Sequence, residues 1–226
     1  MTVFDLSIPV SFAGRGPGAF GAPDATRAPL ETGGFVGAVA SGGSCECPVM
    51  TFTPHCNGTH TESARHLMGS GPAPHELVSE LLMPARVVSV TPGDGAITAA
   101  MLKAAWPDSE SVRALIVRTL PNDVAKRTAR WGDDRDAPYF SVDAIDLIVA
   151  RGVDHLVFDG PSLDPMVDGG ALVAHRAYFA NRAHATATEL AFVPDEARDG
   201  AYELNLQVAA FDADAAPSRP MIRPRQ

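Results

Sequence analysis

Apolar and polar positions along the chain predict strands and helices that alternate through its second half. Residues 85–90, 113–119 and 153–159 are short apolar segments rich in β-branched side chains, which is typical of strands. Residues 98–105 have a helical composition, and residues 142–151 place their apolar side chains mostly along one helical face. This alternation, from about residue 98 onward, favours an α/β domain.

The predicted helix at residues 142–151 has recognisable signals at both ends. Ser141 is expected to cap its first turn, and Asp143 lies near the positive end of the helix dipole. Gly152 stands where a glycine commonly ends a helix.

Three further elements are predicted: a helix at residues 170–181 and strands at residues 187–193 and 202–211.

The first half of the chain is less regular because glycine and proline interrupt it repeatedly. Strands are expected at residues 3–10, 35–39 and 47–53, and the third of these would deliver His55 to a loop. The tail from Asp212 is rich in Ala, Pro and Arg. We expect it to pack along the surface or to cross to a partner subunit.

The size and composition of the chain predict one globular domain covering residues 1–226, with a substantial core. Hydrophobic residues make up 46% of the chain and charged residues 20%, which is typical of a globular protein. The net charge of −9 argues against a nucleic-acid partner, because phosphate binding requires clustered Lys and Arg. It does not argue against an anionic small substrate, because a metal ion supplies local positive charge.

The sequence gives no sign of a membrane or export signal. The opening segment lacks a basic stretch followed by a long apolar one, so no signal peptide is predicted. No apolar run approaches the roughly 18–20 residues needed to span a bilayer, so no membrane partner is expected. We therefore expect a cytoplasmic protein.

Histidines concentrate in one short segment that also carries a carboxylate. His55, His60 and His66 lie close together in the sequence, with Glu62 among them. Imidazole and carboxylate are the ligands that zinc and other divalent first-row metals use. His60 and Glu62 would point to the same side of an extended segment, and Gly58 would let the loop turn close to an ion. This density of ligands predicts a metal site.

Neighbouring polar residues and the other unassigned histidines are given structural roles. Thr59 and Asn57 are expected to orient the metal ligands. His75 is predicted to be exposed in a loop, and His184 is placed on the surface. His155 lies on a predicted buried strand, where a hydrogen-bonded structural histidine is the favoured interpretation.

The cysteines and Ser162 are not assigned chemistry. Cys45, Cys47 and Cys56 lack the paired four-ligand spacing of a structural zinc site, so buried free thiols are expected. Their odd number does not indicate a disulfide framework. Ser162 lacks the Gly-x-Ser-x-Gly setting of a serine hydrolase nucleophile, so that class of enzyme is disfavoured.

The histidine cluster resembles the signature of the cyclase family, which includes bacterial kynurenine formamidase and isatin hydrolase. That signature is His-x-Gly-Thr-His-x-Asp-x-Pro-x-His, and this chain has Pro54-His55-Cys56-Asn57-Gly58-Thr59-His60-Thr61-Glu62 followed by His66. Four other segments are similar to family segments in the same order: Phe4-Asp5-Leu6-Ser7-Ile8-Pro9, Phe158-Asp159-Gly160-Pro161-Ser162-Leu163-Asp164, Ala174-His175-Arg176 and Thr188-Glu189-Leu190.

The resemblance implies a fold and a metal centre. The fold would be a compact α/β domain with a mixed β-sheet, of the swivelling β/β/α type. The centre would hold one or two divalent ions per subunit, Zn²⁺ or Mn²⁺, with Glu62 bridging if two bind. The inner ligands implied are His55, His60, Glu62, His66, His175 and Glu189. Catalytic roles are implied for His66, His60 and Glu189, with His66 either a ligand or the acid/base histidine near the scissile bond.

This chain departs from the family signature at three places. Asn57 is an insertion, which leaves either His55 or Cys56 as the first ligand, and we favour His55. Glu62 replaces the usual Asp and is one methylene longer. Ala64 and Arg65 replace the family's proline-containing stretch. These departures indicate a divergent branch of the family.

The implied function is metal-dependent hydrolysis of an amide C–N bond, in an aryl formamide of the kind met in tryptophan catabolism or in a cyclic amide. Two alternatives stay open: lactone hydrolysis or cyclisation on the same fold, and a metal-binding or ligand-binding protein without catalysis. A small-molecule substrate is expected in either enzymatic case. The resemblance also implies a homo-oligomer, with a dimer as the expected state.

Overall fold

A computed structural model describes residues 2–14, 16–106, 111–132 and 136–225. The strands are β1 (Phe4–Asp5), β2 (Gly18–Ala19), β3 (Thr26–Pro29), β4 (Glu31–Thr32), β5 (Phe35–Val36), β6 (Pro48–Thr51), β7 (His60–Ser63), β8 (Met83–Val90), β9 (Ala96–Ile97), β10 (Ala114–Thr119), β11 (Arg130–Trp131), β12 (Tyr139–Phe140), β13 (His155–Phe158), β14 (Thr186–Glu189), β15 (Gly200–Val208) and β16 (Ala215–Pro224). The helices are α1 (Arg65–Met68), α2 (Pro74–Leu77), α3 (Ala99–Ala105), α4 (Val142–Ala150) and α5 (Val173–Phe179), with 3-10 turns at Val39–Ser41 and Val124–Thr128.

One mixed sheet, in the order β1-β16-β15-β8-β10-β13-β14-β7, forms the body of the domain. The long strand β16 also pairs with β7, so every strand of this sheet except β1 closes into a ring. Strands β8, β10, β13 and β14 run parallel, and β15, β16 and β7 join them in antiparallel pairs. The result is a single compact α/β domain with a mixed sheet, which confirms the predicted fold class.

Two apolar clusters lie on the two faces of the ring. On one face α3, α4 and α5 cover the parallel strands, and Leu102, Ile145 and Tyr178 are fully buried there. On the other face Ile116 and Leu204 lie in a second cluster with side chains from β1, β8 and β16. The parallel strands are buried on both faces, which explains their nearly continuous apolar sequences.

The helices of the second half confirm the sequence predictions, with one exception at a cap. The helices predicted at residues 98–105, 142–151 and 170–181 appear as α3, α4 and α5. Gly152 has a φ of 74°, the left-handed conformation expected just beyond a helix end. The predicted capping bond of Ser141 is wrong, because its hydroxyl donates to the Ile97 carbonyl at 2.9 Å instead.

The prediction for the tail from Asp212 is wrong. Residues Ala215–Pro224 form the longest strand of the molecule's described part. They close the ring between β7 and β15 and also pair with β1. Ala215, Ala216 and Ile222 are buried in it. The prediction missed this strand because its three prolines and two arginines hide the alternation of buried and exposed positions.

Within the described residues no helix is both long and apolar enough to cross a bilayer.

Candidate metal centre

The predicted ligands come from five separate segments that meet where β7 and β14 lie side by side. In the antiparallel β7–β14 pair His60 stands opposite Glu189, and Glu62, two residues along β7, takes the same side as His60. The remaining ligands come from the loop after β6, from α1 and from α5: His55, His66 and His175. The structure therefore brings together all six residues that the resemblance implied.

Glu62 lies at the centre of this group. Its Oε1 is 3.2 Å from His175 Nε2, and its Oε2 is 3.3 Å from His55 Nδ1. Glu189 extends the contacts on the buried side, with Oε2 at 3.3 Å from His60 Nε2 and Oε1 at 3.4 Å from His175 Nε2. Glu189 Oε1 also accepts the backbone N–H of Leu163 at 2.8 Å, which fixes that carboxylate.

The loop before β7 is held against the first segment of the chain. The Gly58 carbonyl accepts the Nδ1–H of His60 at 3.1 Å, so His60 Nε2 keeps its lone pair on the side facing Glu189. Thr59 Oγ1 accepts from the Ile8 N–H at 2.7 Å and donates to the Leu190 carbonyl at 2.5 Å. These bonds connect the strand that carries His60 to the strand end that carries Glu189.

The predicted ligand-orienting roles of Thr59 and Asn57 take a different form. Both side chains bond to backbone groups: the amide of Asn57 accepts from the Thr53 N–H at 2.7 Å and donates to the Pro23 carbonyl at 3.2 Å. They fasten the loop, and so act on the ligands only through its backbone.

Asp164 orients His175, a role that the sequence reasoning did not assign. Its Oδ2 lies 2.5 Å from His175 Nδ1 and accepts the His175 backbone N–H at 3.0 Å, while Oδ1 accepts from Ala174 N–H at 2.7 Å. Because Nδ1 donates to Asp164, His175 Nε2 is free to face Glu62 and Glu189. A carboxylate behind a histidine is the usual support of a metal-binding imidazole.

Asp214 is a second carboxylate that the sequence reasoning missed. Its Oδ2 lies 3.0 Å from His55 Nε2 and 3.0 Å from His66 Nδ1. The rings of His55 and His66 stand close together, with centroids 4.4 Å apart. No local signal in the sequence marks Asp214, since it precedes β16 and lies 148 residues from His66.

Burial and charge act in opposite directions on the acids and bases of the centre. Burial lowers the pKa of His55, but a hydrogen bond to Asp214 and the negative charge of Glu62 raise it to about 10. Burial also lowers the pKa of His175, but the negative charge of Glu62 raises it well above its usual value. Burial raises the pKa of Glu62, but the positive charge of His175 holds it well below its usual range. The buried carboxylates thus attract positive charge to this point.

The donor set fits a divalent cation. Within the described residues, His60 Nε2 and both carboxylate oxygens of Glu62 are buried and meet no hydrogen-bonding partner, a costly state unless another group satisfies them. Two groups of possible ligand atoms, each within 4.8 Å of one another, share Glu62: one with His55 and His66, the other with His60 and Glu189. Imidazole nitrogen and carboxylate oxygen are ligands of zinc and manganese.

Cys56 and His55, the two alternatives for the first ligand, differ in their surroundings. A nitrogen of His55 belongs to one of the ligand groups, and no cysteine belongs to either group among the residues described. Burial, with the negative charge of Glu189, raises the pKa of the Cys56 thiol to about 11, which disfavours the thiolate that binds metal.

The remaining histidines and cysteines mostly match their predicted roles. His155 is buried and bonds to Thr186 Oγ1 at 2.8 Å, and the exposed His184 lies 3.1 Å from Asp154, which confirms both predictions. His75 lies in the short helix α2 and is half-buried, so its predicted exposure in a loop is wrong. All three cysteines are free as predicted, but only Cys56 is buried.

A cavity of about 580 Å³ opens at the carboxyl ends of β8 and β10 and is separate from the ligand group. It is lined by Thr119, Lys126, Trp131, Tyr139 and Met166 among others, and by none of the six predicted ligands. The ligand group instead reaches solvent through His55, His66 and Asp214, whose side chains are 22%, 28% and 40% exposed.

Comparison with known proteins gives consistent matches over most of the chain. The Cyclase family model, described as "Putative cyclase", matches residues 4–165. A kynurenine formamidase of Bacillus cytotoxicus is 28% identical over 184 residues, covering 80% of this chain and 82% of the relative. A kynurenine formamidase of Bacillus cereus is 29% identical over 188 residues, with the same coverage.

Solved structures share the fold at low sequence identity. A predicted metal-dependent hydrolase from Bacillus stearothermophilus superposes with a TM-score of 0.70 at 16% identity, covering 98% of this chain and 97% of that one. An isatin hydrolase bound to the product analogue thioisatinate superposes with a TM-score of 0.68 at 15% identity, covering 99% and 92%.

Proposed function

This chain belongs to the Cyclase family, and on that premise we propose that it is a metal-dependent hydrolase of amide C–N bonds outside peptides. Its curated relatives are kynurenine formamidases, which supports an aryl formamide or a cyclic amide as the substrate class. The observation that carries the proposal is the buried carboxylate of Glu62, which meets imidazoles on two sides and has no hydrogen-bonding partner among the described residues.

The proposed ligands fall into two sets joined by Glu62. His55, Glu62 and His66 would hold one ion, and His60, Glu62 and Glu189 would hold a second, with His175 beside the latter. One or two ions of Zn²⁺ or Mn²⁺ per subunit fit these donors. His55 is proposed as the first ligand in preference to Cys56, because the protonated thiol of Cys56 is a weak ligand.

A bound divalent ion would lower the pKa of water and polarise the carbonyl group of the substrate. The protein's own residues perform the remaining tasks. His66 Nδ1 donates to Asp214, so Nε2 is the one ring nitrogen left to it. That nitrogen serves either as a ligand of the ion or as the base that accepts a proton and delivers it to the leaving nitrogen. Glu189 and His60 are held by the Leu163 N–H and the Gly58 carbonyl, so they present fixed atoms to the ion and the substrate.

The exposure of the centre defines the side from which a substrate arrives. The side chains of His60, Glu62, His175 and Glu189 are at most 4% exposed. His55 and His66 are partly exposed, so in the proposed reaction substrate and water reach the ligands past these two rings. This exposure supports the proposed role of His66 near the leaving group.

The test is elemental analysis of the purified, untagged protein together with turnover of an N-formyl anilide. We expect one or two equivalents of zinc or manganese in the wild-type protein, and loss of both metal and activity in His60→Ala. His184→Ala is the matched control, because His184 is an exposed histidine outside the ligand group. Full metal content and full turnover in His60→Ala would refute the assignment.

Substrate profiling separates the proposed reaction from its rivals. Hydrolysis of formyl anilides or of isatin, without turnover of lactones, would support amide cleavage. Turnover of lactones alone would move the lactone reaction to first place, and a metal-loaded protein inactive on the whole panel would favour a binding role. The homodimer and the cytoplasmic location stay predictions from the sequence.

A further inference from the structure

We propose that Asp214 is a positioning residue of the centre, which fixes the ring orientation and the tautomer of His55 and His66 together. This inference rests on the proposed metal-dependent function. The inference goes beyond that function because it assigns a role to the residue directly before β16, which is far in sequence from the histidine cluster.

The geometry around Asp214 determines which nitrogen of each ring carries the proton. An ionised carboxylate only accepts hydrogen bonds, and the same oxygen, Oδ2, lies 3.0 Å from His55 Nε2 and 3.0 Å from His66 Nδ1. Both of those nitrogens therefore donate. In the neutral ring that binds a metal, the lone pair is therefore left on the other nitrogen. For His55 that nitrogen is Nδ1, which lies 3.3 Å from Glu62 Oε2.

The same arrangement recurs on the opposite side of Glu62. His175 donates through Nδ1 to Asp164 and faces Glu62 through Nε2. His55 has the reverse pattern, because it donates through Nε2 to Asp214 and faces Glu62 through Nδ1. The two oxygens of Glu62 thus each meet an imidazole that is held from behind by a carboxylate. Such outer carboxylates fix tautomer and ring orientation in metal sites.

The backbone holds Asp214 in place independently of its side chain. Its carbonyl accepts the Ser63 N–H at 3.1 Å, and the next residue, Ala215, pairs with Glu62 in the β16–β7 ladder. A substitution of Asp214 by a residue of similar size should therefore leave the ring of strands intact. An aspartate carboxyl is ionised at neutral pH.

The experiment compares Asp214→Asn with Asp212→Asn. Asp212 is the matched control because it loses the same charge two residues away, where its carboxylate pairs with Arg65 and is 92% exposed. The readouts are the Zn²⁺ dissociation constant from chelator competition and the visible absorption bands of the Co²⁺-loaded protein. We expect Asp214→Asn to bind Zn²⁺ roughly 10–100-fold more weakly with altered Co²⁺ bands, and Asp212→Asn to match the wild type.

Three results would overturn the inference. Asp214→Asn with wild-type affinity and wild-type Co²⁺ bands would show that the carboxylate does not position the two histidines. The proposed function would be unaffected by that result, because it depends on metal binding by the wild-type protein. Loss of a whole metal equivalent at saturating Zn²⁺ would make Asp214 a ligand instead. A wild-type protein that takes up no metal would remove the proposed function and this inference together.

A second variant keeps the inference testable if Asp214→Asn does not fold. Asp214→Glu retains the charge with one more methylene. Asp214→Ser is the variant without a carboxylate that replaces Asp214→Asn in the comparison. We expect Asp214→Glu to bind Zn²⁺ more tightly than either of these variants but more weakly than the wild type. Its Co²⁺ bands should lie between those of the variants without a carboxylate and those of the wild type. Equal affinities for all the variants that fold would contradict a positioning role.

Discussion

Gly58 packs its α-carbon against the backbone of the first segment, and no side chain fits there. A β-carbon at this position would lie 2.9 Å from the Ile8 carbonyl oxygen and 3.0 Å from the Val10 nitrogen. We expect Gly58→Ala to shift the loop that carries His55 and His60, to lower the free energy of unfolding by about 1–3 kcal/mol, and to weaken Zn²⁺ binding.

Urea unfolding and chelator competition would measure these two effects of Gly58→Ala. Gly93→Ala is the control, because a β-carbon there meets nothing within 4 Å. Equal stability and equal affinity in the two variants would show that the loop yields without cost.

His155 couples the stability of the fold to pH without touching the centre. Burial lowers the pKa of His155 from 6.5 to about 4, because the ring is enclosed beside Thr186. The unfolded chain binds the proton more readily, so the stability from the neutral ring is complete above pH 6.5 and is lost as the pH falls toward 4. The full loss amounts to roughly 3 kcal/mol.

Unfolding of His155→Gln and of the wild type at pH 8 and pH 5 measures the part of that loss that occurs above pH 5. We expect the wild type to lose more stability than His155→Gln over this range. The control is His184→Gln, which changes an exposed histidine that pairs with Asp154. It should lose as much stability as the wild type does. Parallel pH curves for all three proteins would contradict the prediction.

At the scale of residues, the sequence predicted which side chains would lie together better than it predicted the residues that support them. The density of His55, His60, Glu62 and His66 in one segment predicted a metal site by itself, because imidazole and carboxylate are the ligands that divalent metals use. Asp214 acts only through contacts made when its strand folds back onto the histidines. Nothing in the chain near Asp214 marks that role.

At the scale of elements, β16 is the part of the fold that the sequence concealed. Its proline at position 217 stands opposite His60, and the proline at 220 faces Leu206 in the β15 ladder. Proline donates no hydrogen bond, so strand propensity gave no sign of this element. The helices α3, α4 and α5 were predictable because helical spacing, and a glycine such as Gly152 at a helix end, are local signals.

Ile222 tests how much the closing strand contributes. It is 1% exposed and stands between Phe4 of β1 and Leu204 of β15. We expect Ile222→Ala to lower the free energy of unfolding by about 2–5 kcal/mol, because it removes buried methyl groups and leaves a cavity.

The control for Ile222→Ala is Val124→Ala, because Val124 is 67% exposed. Urea unfolding should separate the two variants clearly. A loss below about 0.5 kcal/mol in Ile222→Ala, the size of an ordinary surface substitution, would mean that β16 adds little to the fold.

For the whole molecule, bound metal should raise the temperature of unfolding. The proposed ligands come from the loop after β6, from β7, α1, α5 and β14, so an ion would tie together segments far apart in the chain. A ligand at 100 times its dissociation constant stabilises the folded state by about 2.7 kcal/mol. This corresponds to an increase of about 5–11 °C in Tm for a domain of this size.

Differential scanning calorimetry with added Zn²⁺, and again with a chelator, would measure this increase. The His60→Ala variant serves as the control and should respond less than the wild type to either addition. A wild-type Tm that does not respond to Zn²⁺ or to the chelator would contradict the proposed centre.

The closure of the ring by β16 has a consequence for the order of events during protein synthesis. Every other strand of the ring leaves the ribosome before residues 215–224, and until then β7 and β15 each lack the neighbour that joins them. The nascent chain therefore exposes two unpaired strand edges, which are sites for wrong pairing with other chains. Because Asp214 arrives with the same segment, a metal ion captured by the nascent chain would meet His55 and His66 before their shared carboxylate is in place.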